Sequence, residues 1–519
     1  MQDRASAPAE PPERGADAAF ATGTVAIVAG DPEARGRRTA QPTGFWNLAL
    51  VEMWERFSYY GLQAVLAYYL IFPVVDGGLA LDPTVAVSIV GAYGGCLYLA
   101  QLLGAWLADR VAPARHLVLT GAIVITCGHL ALALLPGTPG VAAGLSCIAV
   151  GTGLLKTNIT SIIGVLFGGW PRGARDAGFS YFYLSINLGA IFGPLATGWL
   201  QSSAGFHWAF GAAAVGMSIA LVQYVVRMRA LPPETAVVPN PIRRAGLIAA
   251  VGWGAIGALV LGVLIAFGVV RAHNLSTVVG IVIAAAAAAY FTVMLRSRHL
   301  ERAERMRVRG YLPMWLAETL YYGFYLQLFT TVPLIVSTRV DLDLGGWTFP
   351  EGWFAVIGTV ALVLVIPLVA GTWKERWIGR LPPIQKFAIG FGGIGLAYLL
   401  LISIVFVPGR NVSPWLMVIA LVIAGVSEVF VGPIGFSVVT RIAPERFATQ
   451  LVALKILTLG AGSTLSAMFA TLYTRLPEQV FFPVIGGGAV LAGAVLLLAA
   501  RPLHRVLGTG LTSDAPSGR

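Results

Sequence analysis

Apolar runs of about 20 residues or more recur fourteen times along this chain, near 44–72, 84–109, 114–136, 139–168, 176–202, 206–229, 245–270, 275–296, 310–337, 351–373, 383–407, 412–441, 448–474 and 478–501. A run of that length crosses the hydrocarbon of a bilayer. Without water there, the backbone must satisfy its own N–H and C=O groups, which a helix does within one segment. Only 11% of the residues are charged, against about 25% in a soluble domain, and 57% are hydrophobic. The expected fold is an all-α membrane protein of 14 transmembrane helices, grouped six, two and six. The matching units are a disordered tail at 1–43, a six-helix bundle at 44–230, an inserted hairpin with basic linkers at 231–308, a second six-helix bundle at 309–503 and a tail at 504–519.

The net charge of +11 is compatible with nucleic acid on its own, but the basic residues mark topology instead. Of the 35 Lys and Arg, three lie deep in spans and four, Arg271, Arg339, Arg410 and Arg475, fall in loops on one side. The rest lie on the side that holds both termini. Basic loops resist translocation, so both ends are expected in the cytoplasm of a multi-pass protein of the cell (inner) membrane, surrounded by lipid. No nucleic-acid partner is expected. The first 43 residues have no apolar core followed by a cleavage site, so no signal peptide is expected. Cys96, Cys127 and Cys147 form no C-x-x-C pair and sit in apolar stretches, which points to buried packing residues rather than disulfides or a metal site.

The first run is unusual because it carries three charges at membrane depth. At about 100° per residue, Glu52, Glu55, Arg56, Tyr59, Tyr60 and Gln63 fall within an arc of roughly 140°, with Trp54, Phe57 and Gly61 opposite. Each ionisable side chain costs about 2.5–3.5 kcal/mol in lipid, so this stripe is expected to face protein or a watery cavity. Lys156 in the fourth run lies at a similar depth to Glu55, roughly 16–20 Å from the cytoplasmic end at ~1.5 Å per residue, so the two helices can pair charges. Glu428 lies about 20 Å from that end, on the opposite half. A cation facing a carboxylate across a central cleft suits a zwitterion.

The stretch from Glu52 to Gly61 fills every specified position of E-x-x-E-R-F-x-Y-Y-G, and so resembles the first-helix signature of the proton-dependent oligopeptide transporter family. Gly151 to Asn158 is similar to that family's G-x-G-x-x-K-P-N, with Thr157 in place of proline. Phe179 to Gly189 matches its F-x-x-F-Y-x-x-I-N-x-G, and Glu428 followed by Pro433 matches its glutamate and proline. Gly104 to Arg110, with Arg115 beyond, resembles the signature loop of the major facilitator superfamily. There Asp109 and Arg110 are expected to bond a neighbouring helix end and to let go when two six-helix bundles rock.

The resemblance implies a major-facilitator fold and a proton-coupled symporter that imports di- and tripeptides by alternating access, not an enzyme. Glu52, Glu55 and Arg56 would handle the proton. Lys156 would alternate between those glutamates and the peptide carboxylate, Glu428 would take the ammonium end, and Tyr59, Tyr60, Tyr98 and Asn187 would line the substrate site. Asn187 serves equally well as an interhelical hydrogen-bond partner. No cofactor or metal is implied, the proton being the coupling ion, and a monomer is expected to suffice. The inserted pair of helices, rich in Gly and Ala, is expected to pack as a hairpin outside the transport core.

The pattern departs from the family in the second half. Gln63 stands where the family has arginine, and Leu326 where it has glutamate, the register being set by Tyr321, Tyr322 and Gln327. Losing both charges is self-consistent, because either alone would be stranded. Glu318 and Lys455 are charges the family does not normally carry there, and they are expected to pair. With Tyr322 and Gln63 they are candidate pocket or gate residues. The altered charges leave open another small solute, such as an amino acid, a peptide-like compound or an organic anion. Across all seven membrane-depth charges one carboxylate is in excess, which predicts a protonatable site.

Overall fold

The structure, a computed structural model, describes residues 41–168, 170–373 and 381–508. The expected N-terminal tail up to residue 40, and 509–519 of the expected C-terminal tail, lie outside the described residues. Among the described residues the chain is helical, with only isolated β-bridges. In chain order the helices are α1 (Phe45–Ile71), α2 (Pro83–Arg110), α3 (Ala114–Leu134), α4 (Gly137–Leu166), α5 (Arg172–Ala204), α6 (Phe206–Arg227), α7 (Arg244–Ala266) and α8 (Leu275–Arg296). The second half has α9 (Arg302–Tyr325), α10 (Thr331–Arg339), α11 (Phe354–Trp373), α12 (Pro383–Leu400), α13 (Pro414–Glu428), α14 (Gly432–Ile442), α15 (Ala448–Arg475) and α16 (Glu478–Gly508). Among the described residues, thirteen helical segments are long and apolar enough to cross a membrane. Helix α1, with 27 residues and three charges, is the fourteenth span. The last helix runs on to Gly508, past the expected end of the bundle at 503 and through Pro502.

Two spans expected to be continuous are broken, and both breaks have the same cause. A proline ring clashes with the carbonyl four residues earlier and offers no N–H to it. Pro433 thereby ends α13 at Glu428, and Val429, Phe430 and Val431 instead donate to carbonyls three residues back. Pro333 acts in the same way on Phe329, so α9 gives way to a 3-10 turn, Leu326–Phe329, before α10 begins. The two breaks face each other, with the Tyr321 and Ser427 hydroxyls 2.7 Å apart. Tyr398 on α12 donates to the Phe324 carbonyl at 3.0 Å, which satisfies a backbone group near the break.

In the first half α1 packs on α5 and α6, and α3 on α4 and α6; in the second, α12 packs on α16, α11 on α13, and α9 on α15. Small residues set the closest approaches. A Cβ on Gly104 would lie 2.0 Å from the Gly153 carbonyl oxygen of α4, so only glycine fits there. The halves meet along α2 and α15, where Ser463 donates to the Gly91 carbonyl at 3.2 Å. They also meet at the end away from the described termini. There Tyr68 donates to the Glu351 carbonyl at 3.3 Å, the Trp353 indole to the Leu195 carbonyl at 3.0 Å, and Gly198 lies against Gly352.

The inserted hairpin is only half outside the core, which corrects the expectation. Helix α7 has no buried residue. Helix α8 instead packs against α2 of the first half and α15 and α9 of the second, with Val279 and Ile283 against Gly95 and Gly280 against Thr464. Its Ser276 N–H donates to Ser88 Oγ at 3.1 Å. The cysteines also differ from expectation: Cys127 is exposed, and Cys96 and Cys147 are only half-buried, although Cys147 Cβ faces Gly128 across the α3–α4 seam.

Candidate functional site

The polar stripe of α1 turns inward and meets α4. Glu52, Glu55, Arg56 and Lys156 are all buried. Lys156 Nζ bonds Glu52 Oε1, and Arg56 Nε lies 3.6 Å from the same oxygen. Arg56 Nη2 donates to Glu55 Oε1 at 2.7 Å, and Thr152 Oγ1 to that oxygen at 3.3 Å. Two carboxylates and two cations make a balanced cluster. Burying four charges is tolerable only because each has a partner; removing one partner from a buried pair costs about 3–5 kcal/mol. Thr152 is a member that the sequence reading missed. It lies four residues before Lys156, hence on the same face of α4, and that spacing was its signal.

The signature's glycines let α1 and α5 come together. A Cβ on Gly189 would lie 2.2 Å from the Met53 carbonyl oxygen, and Thr197 Oγ1 donates to the Gly61 carbonyl at 2.9 Å. Arg56 lies over the rings of Tyr59 and Tyr60, at 4.9 and 5.9 Å from their centroids. Gln63 Nε2 donates to the Tyr59 hydroxyl at 3.3 Å, so the residue standing in place of arginine stays within its own helix. Tyr98 packs against Gly460 of α15, on the seam. Asn187 Nδ2 donates to the Tyr183 carbonyl one turn back at 2.8 Å, an intrahelical bond where an interhelical one was considered.

The second half carries the imbalance. Glu318 on α9 and Lys455 on α15 form a buried ion pair, as expected from their positions. Lys455 Nζ also lies 4.4 Å from the Phe436 ring and 5.1 Å from the Tyr322 ring. The Tyr322 hydroxyl donates to Glu428 Oε1 at 3.3 Å. Glu428 Oε2 is buried with no hydrogen-bond partner, and among the described residues no cation pairs with Glu428. Among the described residues Glu428 is therefore the membrane-depth carboxylate left without a cation. Gly435 makes the room: a Cβ there would lie 2.3 Å from Glu318 Oε1 and 3.0 Å from Lys455 Cε. Gly435, Tyr321 and Ser427 were not singled out for these roles, since they act through a helix break that the hydropathy pattern does not display.

Asp109 and Arg110 are placed differently from expectation. Their ion pair, at 2.9 Å, is half exposed, and Asp109 Oδ1 accepts from Asn240 Nδ2 at 2.7 Å. The Asn240 and Ile242 N–H groups donate to the Asp109 and Arg110 carbonyls, each at 2.9 Å. This loop thus grips the linker that leads into α7 and not a neighbouring helix end, because the linker's backbone supplies free donors at that spot.

A family model described as PTR2, POT family, matches residues 115–485. The chain is 33% identical over 479 residues to the uncharacterized transporter YclF of Bacillus subtilis (strain 168), covering 90% of this chain and 95% of that protein. It is 30% identical over 488 residues to the di-/tripeptide transporter of Lactococcus lactis subsp. cremoris, covering 90% and 97%. The solved structure of a peptide transporter POT in complex with sulfate superposes with a TM-score of 0.85 at 35% identity, covering 90% of this chain and 96% of that one.

Proposed function

The chain belongs to the POT family, and from that membership and the geometry above we propose that it is a proton-coupled carrier that imports di- and tripeptides. The observation that carries the mechanism is the Glu52–Lys156 pair. While Glu52 is ionised it holds Lys156. A proton on Glu52 removes that hold and frees Lys156 for the carboxylate end of a peptide, so proton and peptide enter together. Glu428, without a cation of its own, takes the ammonium end, and Tyr59, Tyr60, Tyr98 and Asn187 line the space between. The two halves rock about this site. The contacts that fasten the end away from the described termini support a form open toward the side that holds them. We place that side in the cytoplasm and the chain in the inner membrane, as a monomer that is not an enzyme and needs no cofactor beyond the proton.

Proteoliposomes loaded with a pH dye test this reading: alanyl-alanine added outside should drive proton influx, and Lys156→Ala should abolish it. Normal peptide accumulation by Lys156→Ala would sink the role given to that lysine. A second reading, a different small solute on the same fold, is favoured by Lys455 and by Gln63 and Leu326 where the family has a charge pair. A ligand stabilises the state it binds. If an organic anion or amino acid raises Tm and no peptide does, the second reading replaces the first.

A further inference from the structure

Among the described residues the second half holds two buried carboxylates and one buried cation, and nothing in the mechanism above uses Lys455. Lys455 touches Glu318 directly and stands against the ring of the tyrosine whose hydroxyl holds Glu428. From α9, Glu318, Tyr321, Tyr322 and Tyr325 face Glu428; α15 presents Lys455, and Tyr60 and Tyr183 approach from the first half. All but Glu318 and Lys455 are phenols, which are neutral near pH 7. One positive charge therefore serves two carboxylates.

We infer that Glu318, Lys455 and Glu428 form a second proton-binding centre, in which Lys455 keeps Glu318 ionised and leaves Glu428 to carry a proton until a substrate ammonium displaces it. On arrival of the ammonium the O–H bond of the Glu428 carboxylic acid breaks, the proton passes to water in the cleft, and the carboxylate pairs with the ammonium. The charge of the centre plus substrate is balanced before and after. Glu318 and Lys455 touch no substrate; they are positioning residues that decide the protonation state of Glu428. Such a centre lies wholly within the second half, where the chain has given up the charge at Leu326. This inference rests on the ammonium site proposed for Glu428.

Titration calorimetry of the purified protein with alanyl-alanine, in buffers of different ionisation enthalpy, counts protons exchanged per peptide. Glu318→Gln releases Lys455 to pair with Glu428, so that variant should release about one proton fewer per bound peptide than wild type. Glu318→Gln combined with Lys455→Met removes the competing cation and should restore the wild-type count, which loss of packing alone would not do. Equal counts in all three proteins, with binding intact, overturn the shared-lysine centre only. No binding heat in wild type overturns the peptide reading itself, and this inference with it. If Glu318→Gln yields no folded protein, infrared difference spectra of wild type decide. A carboxylic-acid band lost on peptide binding, and missing from Glu428→Gln, supports the centre; no such band overturns it.

Discussion

At the scale of residues, the charges sort themselves by partner. Lys156 and Glu428 look alike in the sequence, as single ionisable groups in apolar runs, yet one is held by Glu52 and the other only by a tyrosine hydroxyl. Lys156→Ala should therefore lower stability by about 3–5 kcal/mol, because it leaves Glu52 buried beside a single cation; denaturation in detergent, compared with Glu52→Gln combined with Lys156→Ala, measures it. Gly435→Ala is informative for the opposite reason. Within a helix Ala normally gains up to ~1 kcal/mol over Gly. Here its methyl would sit 2.3 Å from Glu318 Oε1, and overpacking of about 1–3 kcal/mol should win, lowering Tm. The chemistry of these residues was legible because a charge in an apolar run demands a partner. The pairing of Glu318 with Lys455, and of Lys156 with α1, was legible from matched depth; the gap at Gly435 that lets Glu318 and Lys455 meet was not, because a glycine in an apolar run carries no such signal.

At the scale of elements, the number of spans and their six, two, six grouping were legible from hydropathy alone, since length and apolarity decide what crosses a bilayer. The breaks were not: Pro333 and Pro433 sit inside apolar runs, and hydropathy does not register a missing N–H. The placement of α8 was missed for a related reason, as its Ala-rich surface reads the same whether it meets lipid or the small residues of α2 and α15. Helix starts are more local. Asp82 caps α2 by accepting from the Thr84 hydroxyl and from the Thr84 N–H, the latter at 2.8 Å, and these bonds, the hydroxyl's first, hold its carboxyl below the ordinary value of 3.8. Asp82→Ala should cost about 0.5–2 kcal/mol. With the folded value depressed, that contribution is present above the unfolded pKa and disappears as pH drops through the lower folded one, so denaturation of wild type and variant should converge in acid.

At the scale of the whole molecule, the two bundles are joined by α8 along one seam and by glycine and aromatic contacts at one end. Gly198 is a point of close approach at that end, since a Cβ there would lie 2.9 Å from Trp353 Cδ1 and 3.3 Å from Gly352. Gly198→Val should prop the end apart and slow peptide uptake by at least about tenfold, equivalent to ~1.4 kcal/mol in the barrier. Overpacking should also lower Tm, while binding affinity stays near wild type, a split that uptake kinetics and binding isotherms resolve. The contacts at that end have a further meaning. Tyr68 and Trp353 donate to main-chain carbonyls, and two glycines fill the rest. None of these contacts joins two charges, so parting them should depend little on ionic strength, which uptake kinetics at low and high salt would check.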